Sequence, residues 1–288
     1  MTQIALTGAS GKLGRATLQF LLDRRVPPGS LVPVVRDPSK LNDLSSQGLQ
    51  VRRADYTDEP SLEAAFRGVD KLLFISTSVV GEERMVHHRN VVSAATRARV
   101  KHIVYTSVIA PSATAKFAAS PGHFATEQLI LDSGIPYTFF RNNLYLDLVP
   151  FLYGHAAETG VLTHFAGDGR IGFITRHDIA EALANALTSG DHTNKIYPIT
   201  VPGPAYSYPE IAAAIGKAAG KSVRFQNVSQ EEFRKTLEAA GVPAPGVAMA
   251  VGLGEAIRAG EFDHSSPDLE KLLGRALVTL DQFLARRS

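Results

Sequence analysis

Short apolar runs alternate with amphipathic stretches through the first half of the chain. The runs have the length of buried strands, and the stretches between them repeat apolar positions at helical spacing, as Leu13, Thr17 and Leu21 do. Strands that alternate with helices pair in parallel through right-handed crossovers. The pattern therefore predicts an α/β fold built on a Rossmann doubly wound parallel sheet. The predicted strands are Ile4–Leu6, Leu31–Val35, Gln50–Arg53, Lys71–Ile75, His102–Thr106 and Ile135–Phe140.

The rhythm changes after residue 145, where helical patterns and turns dominate. We expect residues 1–145 to form the sheet domain and residues 146–288 to form a smaller, mostly helical substrate lid, with 170–200 returning to the sheet domain. Capping boxes at Ser207 and Ser229 begin two predicted helices. Other helices are expected over Asp147–Gly154 and Asp178–Leu187, and a Gly-Asp-Gly turn lies within Phe165–Ile174.

Composition narrows the classes of function. The 288 residues carry a formal net charge of +2, so we expect neither nucleic acid nor a membrane surface as a partner. The chain has no cysteine, which excludes disulfides and thiolate chemistry and fits a reducing compartment. No apolar run approaches the roughly 20 residues of a membrane span. Because the first strand begins at once, we expect no signal peptide and a cytoplasmic protein.

Three glycines, Gly8, Gly11 and Gly14, lie between the first strand and the first helix. Glycine lets the backbone turn tightly and approach a ligand without a Cβ atom, and the free amides and positive dipole of a helix N-terminus attract anions. The strand–turn–helix order is the context that a dinucleotide phosphate site requires, and the alternative is a turn that binds nothing. The predicted phosphate-binding residues are Gly8, Ala9, Ser10, Gly11, Lys12, Leu13 and Gly14.

The end of the second strand decides between the two nicotinamide dinucleotides. A site for NAD places a carboxylate there, about 20 residues past the glycines, on the ribose 2′-hydroxyl. This chain has Arg36 instead, with Lys40 one helical turn later, and two cations suit a 2′-phosphate. Asp37 follows directly and weakens this assignment, and an exposed basic turn is the alternative. We expect NADP(H) as the cofactor.

Polar residues follow the remaining predicted strands. Ligands of open α/β sheets bind at the carboxyl ends of the strands, so these residues should line one groove. We expect Asp55 and Tyr56, after the third strand, to lie beside the adenine. Ser76 and Thr77, after the fourth strand, should lie near the ribose and phosphates, and Thr106 and Ser107, after the fifth, at the nicotinamide. The asparagines after the sixth strand should hold a carboxamide or a substrate oxygen. In chain order the residues are Asp55 and Tyr56, Ser76 and Thr77, Thr106 and Ser107, and Asn142 and Asn143.

Seven segments together carry a family resemblance: GASGKLG, VVRDPSK, ADYTD, KLLFIS, VKHIVYTS, SGIPYTFFRNNLY and GDGRIGFITRHDIAEA. With them the chain resembles the NmrA-like atypical short-chain dehydrogenases, among them the triphenylmethane-dye reductases and the flavin-free NADPH quinone oxidoreductases. The likeness runs over nearly the whole chain and is densest in its first two thirds. It implies a small helical substrate lid. It also implies NADPH binding through Gly8–Leu13, Arg36, Lys40, Asp55, Tyr56, Ser76 and Thr77.

The Tyr-x-x-x-Lys pair of ordinary short-chain dehydrogenases is missing, because none of the eight tyrosines has lysine four residues later. His123 and Glu127 have the corresponding spacing, at the start of a helix predicted over Phe124–Asp132. His123 is predicted to contact the nicotinamide ribose or to donate a proton to the reduced substrate, and the alternative is no chemical role. The predicted catalytic set is His123, Asn143 and Tyr145, and Tyr145 and Phe151 are candidates for an aromatic pocket.

The missing tyrosine bears on the substrate. Carbonyl reduction needs an acid beside an alkoxide, whereas a quinone or a cationic dye accepts hydride to give a weakly basic product. We therefore expect an NADPH-dependent reductase of a small electron-poor aromatic substrate, such as a quinone, an azo dye or a triphenylmethane dye. The alternative is a non-enzymatic NADP(H) sensor that regulates a protein partner, as some NmrA-like proteins do. We expect no metal site, and a homodimer is left open.

Overall fold

The computed structural model describes residues 1–45, 47–153 and 155–286, which divide into two compact units. The first unit comprises Met1–Ala113, Gly122–Asn142 and Arg176–Tyr197. The second comprises Thr114–Pro121, Asn143–Thr175 and the described part of Pro198–Ser288. Within these residues no helix has both the length and the apolar character that crossing a membrane requires.

The main sheet has seven strands. The strands of the described chain are β1 (Ile4–Thr7), β2 (Leu31–Val35), β3 (Arg52–Arg53), β4 (Lys71–Phe74), β5 (His102–Val108), β6 (Tyr137–Asn142), β7 (Val161–His164), β8 (Arg170–Ile171), β9 (Lys195–Ile199), β10 (Tyr206–Ser207) and β11 (Arg224–Asn227). The main sheet has the order β3-β2-β1-β4-β5-β6-β9. All pairings from β3 through to β6 are parallel. The carboxyl ends of these six strands therefore lie along one edge.

Helices connect the strands and make up much of the second unit. The described helices are α1 (Lys12–Asp23), α2 (Asn42–Ser45), α3 (Glu59–Phe66), α4 (Gly81–Arg97), α5 (Ser120–Asp132), α6 (Val149–Tyr153), α7 (Ala156–Thr159), α8 (Arg176–Thr188), α9 (Tyr208–Ala219), α10 (Gln230–Ala239), α11 (Ala244–Arg258), α12 (Asp268–Leu273) and α13 (Leu280–Ala285). Short 3₁₀ turns lie at Pro28–Ser30, Pro38–Leu41 and Leu146–Leu148.

The core of the first unit follows from its continuous apolar strands. Every residue of β1, β2 and β5 is buried, which a parallel sheet achieves when helices cover both faces. Helix α3 packs against α4, and Leu62, Phe66 and Val91 from these helices join the strand residues in one apolar cluster. Helix α8 packs against α1, where Arg24 donates to Asn185 at 2.8 Å.

The second unit contains two small sheets and paired helices. Strands β7 and β11 pair in parallel, β8 and β10 pair antiparallel, and α9 packs against α13. Both predicted capping boxes are confirmed: the Ser207 and Ser229 hydroxyls accept from backbone amides of Glu210 and Glu232, whose carboxylates accept from the serine amides in return. These two helices therefore begin where local sequence specifies a start.

The predicted fold class is confirmed, and the differences are local. Strand β9 was not predicted, because its proline is typical of an edge position and interrupts the apolar run KIYPI. Helix α5 begins at Ser120 rather than Phe124, since Pro121 suits a first helical turn. The predicted helix Asp147–Gly154 is a 3₁₀ turn followed by α6, and Gly154 lies outside the described residues.

Candidate active site

The glycine loop after β1 makes a turn that glycine adopts readily. Gly8 has φ +60°, in the left-handed region, and its carbonyl accepts a hydrogen bond from the Gly11 amide at 2.9 Å. A Cβ atom on Gly14 would come within 2.4 Å of the Gly8 oxygen, so α1 approaches β1 this closely only with glycine there. A Cβ atom on Gly11 would meet that oxygen at a milder 3.2 Å. Gly14 is therefore required by the fold, whereas a side chain at Gly11 would require only a small shift of Gly8.

The N-terminus of α1 carries no internal cap. Gly11 is the N-cap residue, no side chain accepts a capping hydrogen bond, and the first turn contains no acidic residue. The first amides of a helix have no partners within the helix, and together with the dipole they attract negative charge. Lys12 adds an exposed cation at the first helical position. This end of α1 has the features of a phosphate site.

Arg36 and Lys40 follow β2 on an exposed turn, and no ion pair joins either cation to a carboxylate among the described residues. Asp37, the residue that weakened the NADP(H) assignment, binds a residue of the same turn. Its Oδ1 accepts from the Ser39 hydroxyl at 2.6 Å and from the Ser39 amide at 3.0 Å, and these bonds hold the pKa of Asp37 below its usual value. The two cations are therefore available to an anion while the carboxylate is engaged locally.

Arg15 ties this basic turn to α1, and the sequence analysis missed it. Its guanidinium donates to the Asp43 carboxylate at 2.6 and 2.8 Å and to the Lys40 carbonyl at 3.0 Å. Exposed ion pairs contribute about 0–1 kcal/mol, so the effect is on position more than on stability. The only signal in the sequence is that Arg15 directly follows the third glycine of the loop.

Asp55 and Tyr56 follow β3, and each uses its side chain in hydrogen bonds within the first unit. Asp55 Oδ1 accepts from the amide and the hydroxyl of Thr57, both at 2.9 Å, and these bonds lower the pKa of Asp55. Tyr56 donates its hydroxyl to the Ile75 carbonyl at 2.6 Å, and burial raises its pKa. The Tyr56 hydroxyl thus joins the ends of β3 and β4.

The ends of β4 and β5 are joined by polar side chains. The Ser76 amide donates to Thr106 Oγ1 at 2.9 Å. Both backbone groups of Thr77 are then held by buried side chains of α4. Its amide donates to His88 Nε2 at 3.1 Å, and its carbonyl accepts from Arg84 Nη2 at 2.8 Å. The loop after β4 is therefore fixed from inside the first unit.

His123 belongs to the same buried network. Arg84 is only 4% exposed, and it donates to the Val79 carbonyl at 2.8 Å and to His123 Nε2 at 3.0 Å. Because arginine can only donate, the His123 proton lies on Nδ1, which is 2.8 Å from the Tyr105 hydroxyl. Burial, and secondly the Arg84 charge, hold the pKa of His123 well below its usual value. His123 is therefore a neutral link with both ring nitrogens engaged, a geometry that does not favour proton donation.

Arg84 and His88 were missed by the sequence analysis, although a signal was present. They lie at helical spacing with Val91 and Ala95 on the buried face of α4. Two polar residues on an otherwise apolar helical stripe indicate a buried hydrogen-bond network. Gly122 makes room for it, because a Cβ atom there would come within 2.6 Å of Arg84 Cδ.

A second buried network lies at the end of β5 and β6. The Ser107 hydroxyl donates to Glu127 Oε1 at 2.6 Å. Arg141 donates two hydrogen bonds to the same carboxylate, from Nε to Oε1 at 3.0 Å and from Nη2 to Oε2 at 2.7 Å. The Glu127 side chain is 3% exposed. The residue with the lysine spacing of ordinary short-chain dehydrogenases thus carries a buried negative charge that binds a serine.

Asn142 and Asn143 are adjacent and buried, but they use their amides differently. Neither side-chain polar atom of Asn142 has a hydrogen-bond partner in the described structure. The Asn143 amide donates to Thr200 Oγ1 at 3.1 Å and to the Phe262 carbonyl at 3.0 Å, and accepts from the Leu144 amide at 2.8 Å. Buried polar groups almost always have partners, so the Asn142 amide points to a ligand. Asn143 joins segments of the second unit.

The two units divide the predicted site residues between them. The second unit holds Asn143 and Tyr145, and also Phe151, whose side chain is 79% exposed. Tyr145 is half-buried and pairs with Ile174 through its backbone. All the other predicted site residues lie in the first unit. The sheet edge there brings together the glycine loop with Arg36, Asp55, Ser76, Thr106, Ser107 and Asn142.

A model described as the NmrA-like family matches residues 1–280. The chain belongs to the NmrA-like family. Within the family it is 39% identical over 284 residues to quinone oxidoreductase 2 of Escherichia coli (strain K12). The matched residues cover 98% of this chain and 97% of that relative.

Two solved structures resemble this NmrA-like chain, and each match covers 99% of this chain and 99% of the solved chain. The NADPH-dependent quinone oxidoreductase from Escherichia coli, complexed with NADPH, has a TM-score of 0.93 at 37% identity. The triphenylmethane reductase of Citrobacter sp., complexed with NADP(H), has a TM-score of 0.91 at 37% identity. The family resemblance expected from the sequence is confirmed.

Three features of the first unit suit a bound dinucleotide, independently of the comparison with other NmrA-like proteins. The loop and the uncapped start of α1 suit a pyrophosphate, and Arg36 and Lys40 suit a further phosphate. At the other end of the edge, the Asn142 amide is buried without a partner. In the part of the chain that the structure describes, each of these three features lacks the internal partner that a purely structural role would supply.

Proposed function

We propose that the chain is an NADPH-dependent reductase that transfers hydride to a small electron-poor aromatic substrate such as a quinone, an azo dye or a triphenylmethane dye. The main support for the proposal is the sheet edge. It combines a phosphate loop without a side-chain cap, two cations that form no ion pair among the described residues, and a site without a tyrosine–lysine pair. The similar proteins named NADPH-dependent quinone oxidoreductase and triphenylmethane reductase support it.

The residues of the first unit would hold NADPH in an extended arrangement. The Gly8–Gly14 loop receives the pyrophosphate, and Arg36 and Lys40 receive the 2′-phosphate. When bound, NADPH supplies the hydride. The remaining contacts follow the sheet order: Asp55 and Tyr56 toward the adenine, Ser76 and Thr77 toward the ribose and phosphates, and Thr106, Ser107 and Asn142 toward the nicotinamide.

The choice of substrate follows from the protonation of the buried networks. His123 is neutral and engaged at both nitrogens, and the Ser107 proton is directed to Glu127. Neither residue is a free acid, so the site suits an acceptor whose reduced form needs no strong acid beside it. A cationic triphenylmethane dye meets this condition fully, because hydride addition at its central carbon gives a neutral product without any proton.

His123, in this account, is a positioning residue. It accepts from Arg84, and Arg84 holds the carbonyls of Thr77 and Val79 in the loop after β4. Asn143 acts in the same way within the second unit. Assignment of Tyr145 and residues 146–288 to substrate binding remains a prediction, as does a cytoplasmic location, and a homodimer is left open.

A screen of acceptors that follows NADPH absorbance tests the proposal. We expect steady consumption with a simple benzoquinone, an azo dye or a cationic triphenylmethane dye, and little with an aliphatic ketone. NADH should serve less well than NADPH. Saturable NADPH binding without consumption for any acceptor would contradict the enzyme and favour a sensor. A sensor can keep the phosphate loop and dispense with a proton donor, as this site does.

A further inference from the structure

The hydroxyl of Ser107 has a fixed direction. A serine hydroxyl has one proton to donate, and here that proton is directed to Glu127 Oε1 at 2.6 Å. The remaining hydrogen-bonding capacity of Ser107 Oγ consists of its lone pairs. Ser107 can therefore accept a hydrogen bond from a ligand and cannot donate one without first losing its bond to Glu127.

Arg141 maintains this arrangement. Its guanidinium binds both oxygens of Glu127, and a bidentate pair with a permanently charged group holds the carboxylate in one orientation. An ionised carboxylate can only accept, so it cannot reverse the direction of the Ser107 bond. Ser107 and Arg141 are also register partners on β5 and β6, which brings both side chains to Glu127 on α5.

The position of Ser107 along the sheet edge identifies the part of the ligand it meets. Arg36 directly follows β2, which lies on one side of β1 and its glycine loop, and β4 and β5 lie on the other side. A dinucleotide with its pyrophosphate at the loop and its adenosine phosphate at Arg36 must extend its nicotinamide half toward β4 and β5. Neighbouring strands lie about 4.8 Å apart, so β5 is about 10 Å from β1, within reach of that half.

We infer that Ser107, oriented by Glu127 and Arg141, is the hydrogen-bond acceptor for the carboxamide NH₂ group of the bound nicotinamide. This inference rests on the proposed NADPH-binding function and adds a requirement to it. The nicotinamide ring carries an N–H donor only on its carboxamide. An acceptor held at one place therefore restrains the rotation of that group and the position of the ring that carries it.

Binding measurements with two ligands test the inference without any turnover. The probes are NADP⁺ and its 3-acetylpyridine analogue, in which a methyl group replaces the NH₂ group. Each is titrated into the parent protein, Ser107→Ala and Glu127→Gln by calorimetry. We expect the parent to bind NADP⁺ about threefold to tenfold more tightly than the analogue, the range expected for one hydrogen bond. Ser107→Ala should lose this preference by weakening NADP⁺ binding alone.

Glu127→Gln sharpens the test because it leaves the serine in place. In the parent, Oε1 accepts from both Ser107 and Arg141 Nε, and Oε2 accepts from Arg141 Nη2. The amide in Glu127→Gln would place an NH₂ group at one of these two positions, where it faces an Arg141 donor, so the side chain is no longer held in the orientation that directs the Ser107 proton. The preference for NADP⁺ should shrink in this variant too. Ser93→Ala is the matched control, because it removes a hydroxyl whose contact is with Arg97 on α4, and it should keep the parent preference.

The outcomes separate this inference from the function on which it rests. A Ser107→Ala protein that discriminates between the two ligands as well as the parent does would overturn the assignment. If Ser107→Ala fails to fold, an undiminished preference in Glu127→Gln overturns it instead. A parent protein that binds neither ligand contradicts the proposed NADPH function itself, and the pattern differs because no preference is then measurable in any variant.

Discussion

The polar groups at the two ends of the sheet edge differ in how many hydrogen-bond partners the protein itself gives them. At the β1–β2 end, the groups offered to a ligand are backbone amides and exposed cations, and the protein gives them few partners of its own. At the β5–β6 end, the polar side chains are buried and bonded to one another, as Ser107 is to Glu127 and His123 is to Arg84. Asn142 is the exception there, with an unpartnered amide.

This difference fits what each end would bind. A phosphate carries its own charge, so backbone amides and exposed cations can bind it with little preorganisation. A nicotinamide ring is nearly apolar and must be held in one orientation for hydride transfer, which requires acceptors and donors fixed in advance. The comparison predicts that changes at the first end remove affinity, whereas changes at the second end alter orientation with smaller losses.

The largest expected effect comes from Gly11→Val. The backbone at Gly11 is extended, with φ −78° and ψ 166°, so its dihedral angles allow valine, although the Cβ atom would lie 3.2 Å from the Gly8 oxygen and require a small shift there. The branches of valine would occupy the proposed phosphate position. Loss of two charge-assisted hydrogen bonds predicts at least about a hundredfold weaker binding of both NADPH and NADH. Circular dichroism should show a folded protein. Gly29→Val is the control, since a Cβ atom there has no neighbour within 4 Å, and unimpaired binding by Gly11→Val would contradict the phosphate site.

Arg36→Asp should weaken NADPH binding by about tenfold to a hundredfold and affect NADH binding far less. The reason is the loss of a charge-assisted contact to the 2′-phosphate, which contributes about 1.5–3 kcal/mol. Fluorescence titration with both cofactors measures the ratio. Arg89→Asp, an equal change of charge at an exposed position of α4, should leave the ratio as it is. Equal losses for the two cofactors in Arg36→Asp would argue against the 2′-phosphate assignment.

The neighbouring asparagines should respond in opposite ways. Asn142→Leu removes a buried amide without partners, so the free energy of unfolding should stay the same or rise by about 1 kcal/mol, while NADPH affinity falls about threefold to tenfold. Asn143→Leu breaks bonds to Thr200, Phe262 and Leu144 and should lower the free energy of unfolding by roughly 2–5 kcal/mol. Urea denaturation and titration measure both. Destabilisation of Asn142→Leu with unchanged affinity would mean that its amide serves the fold.

His123→Ala should have a smaller effect on catalysis, about threefold to tenfold, and should leave the pH dependence of kcat unchanged between about pH 6 and 8. His123 is neutral throughout this range, since its pKa lies well below the ordinary value of about 6.5. His123→Gln should restore activity, because its amide oxygen can accept from Arg84. A pH profile that falls above about 6.5 in the parent and flattens in His123→Ala would restore the proton-donor hypothesis.

The same depressed pKa predicts how stability changes with pH. Below about pH 6.5 the unfolded chain binds a proton at His123 that the folded protein does not bind, so folding is increasingly disfavoured as pH falls. The contribution of His123 to stability is therefore complete above about pH 6.5 and is lost on acidification. Thermal unfolding should show a smaller decrease between about pH 7 and 5 for His123→Gln than for the parent. Parallel decreases would indicate that His123 is accessible to protons in the folded state.

The sequence indicates more of the local geometry at the first end of the edge than at the second, for a physical reason. The glycine loop is one contiguous segment in which strand, turn and helix constrain one another, so a short motif indicates its geometry. Arg84 and His123 are 39 residues apart and meet only through tertiary packing. The sequence showed that His123 and Glu127 share a helix face, but not that one binds an arginine and the other a serine. Contacts of that kind depend on how neighbouring helices and strands pack.

Hydride transfer to a cationic triphenylmethane dye tests the central claim most directly. The purified protein is given the dye and NADPH deuterated at one of the two hydride positions of the nicotinamide, each stereoisomer in a separate reaction, and the colourless product is analysed by mass spectrometry. We predict deuterium on the central carbon of the product with one stereoisomer and not with the other. A protein that binds NADPH yet forms no colourless product, or forms product without deuterium from either stereoisomer, would contradict the assignment as a reductase.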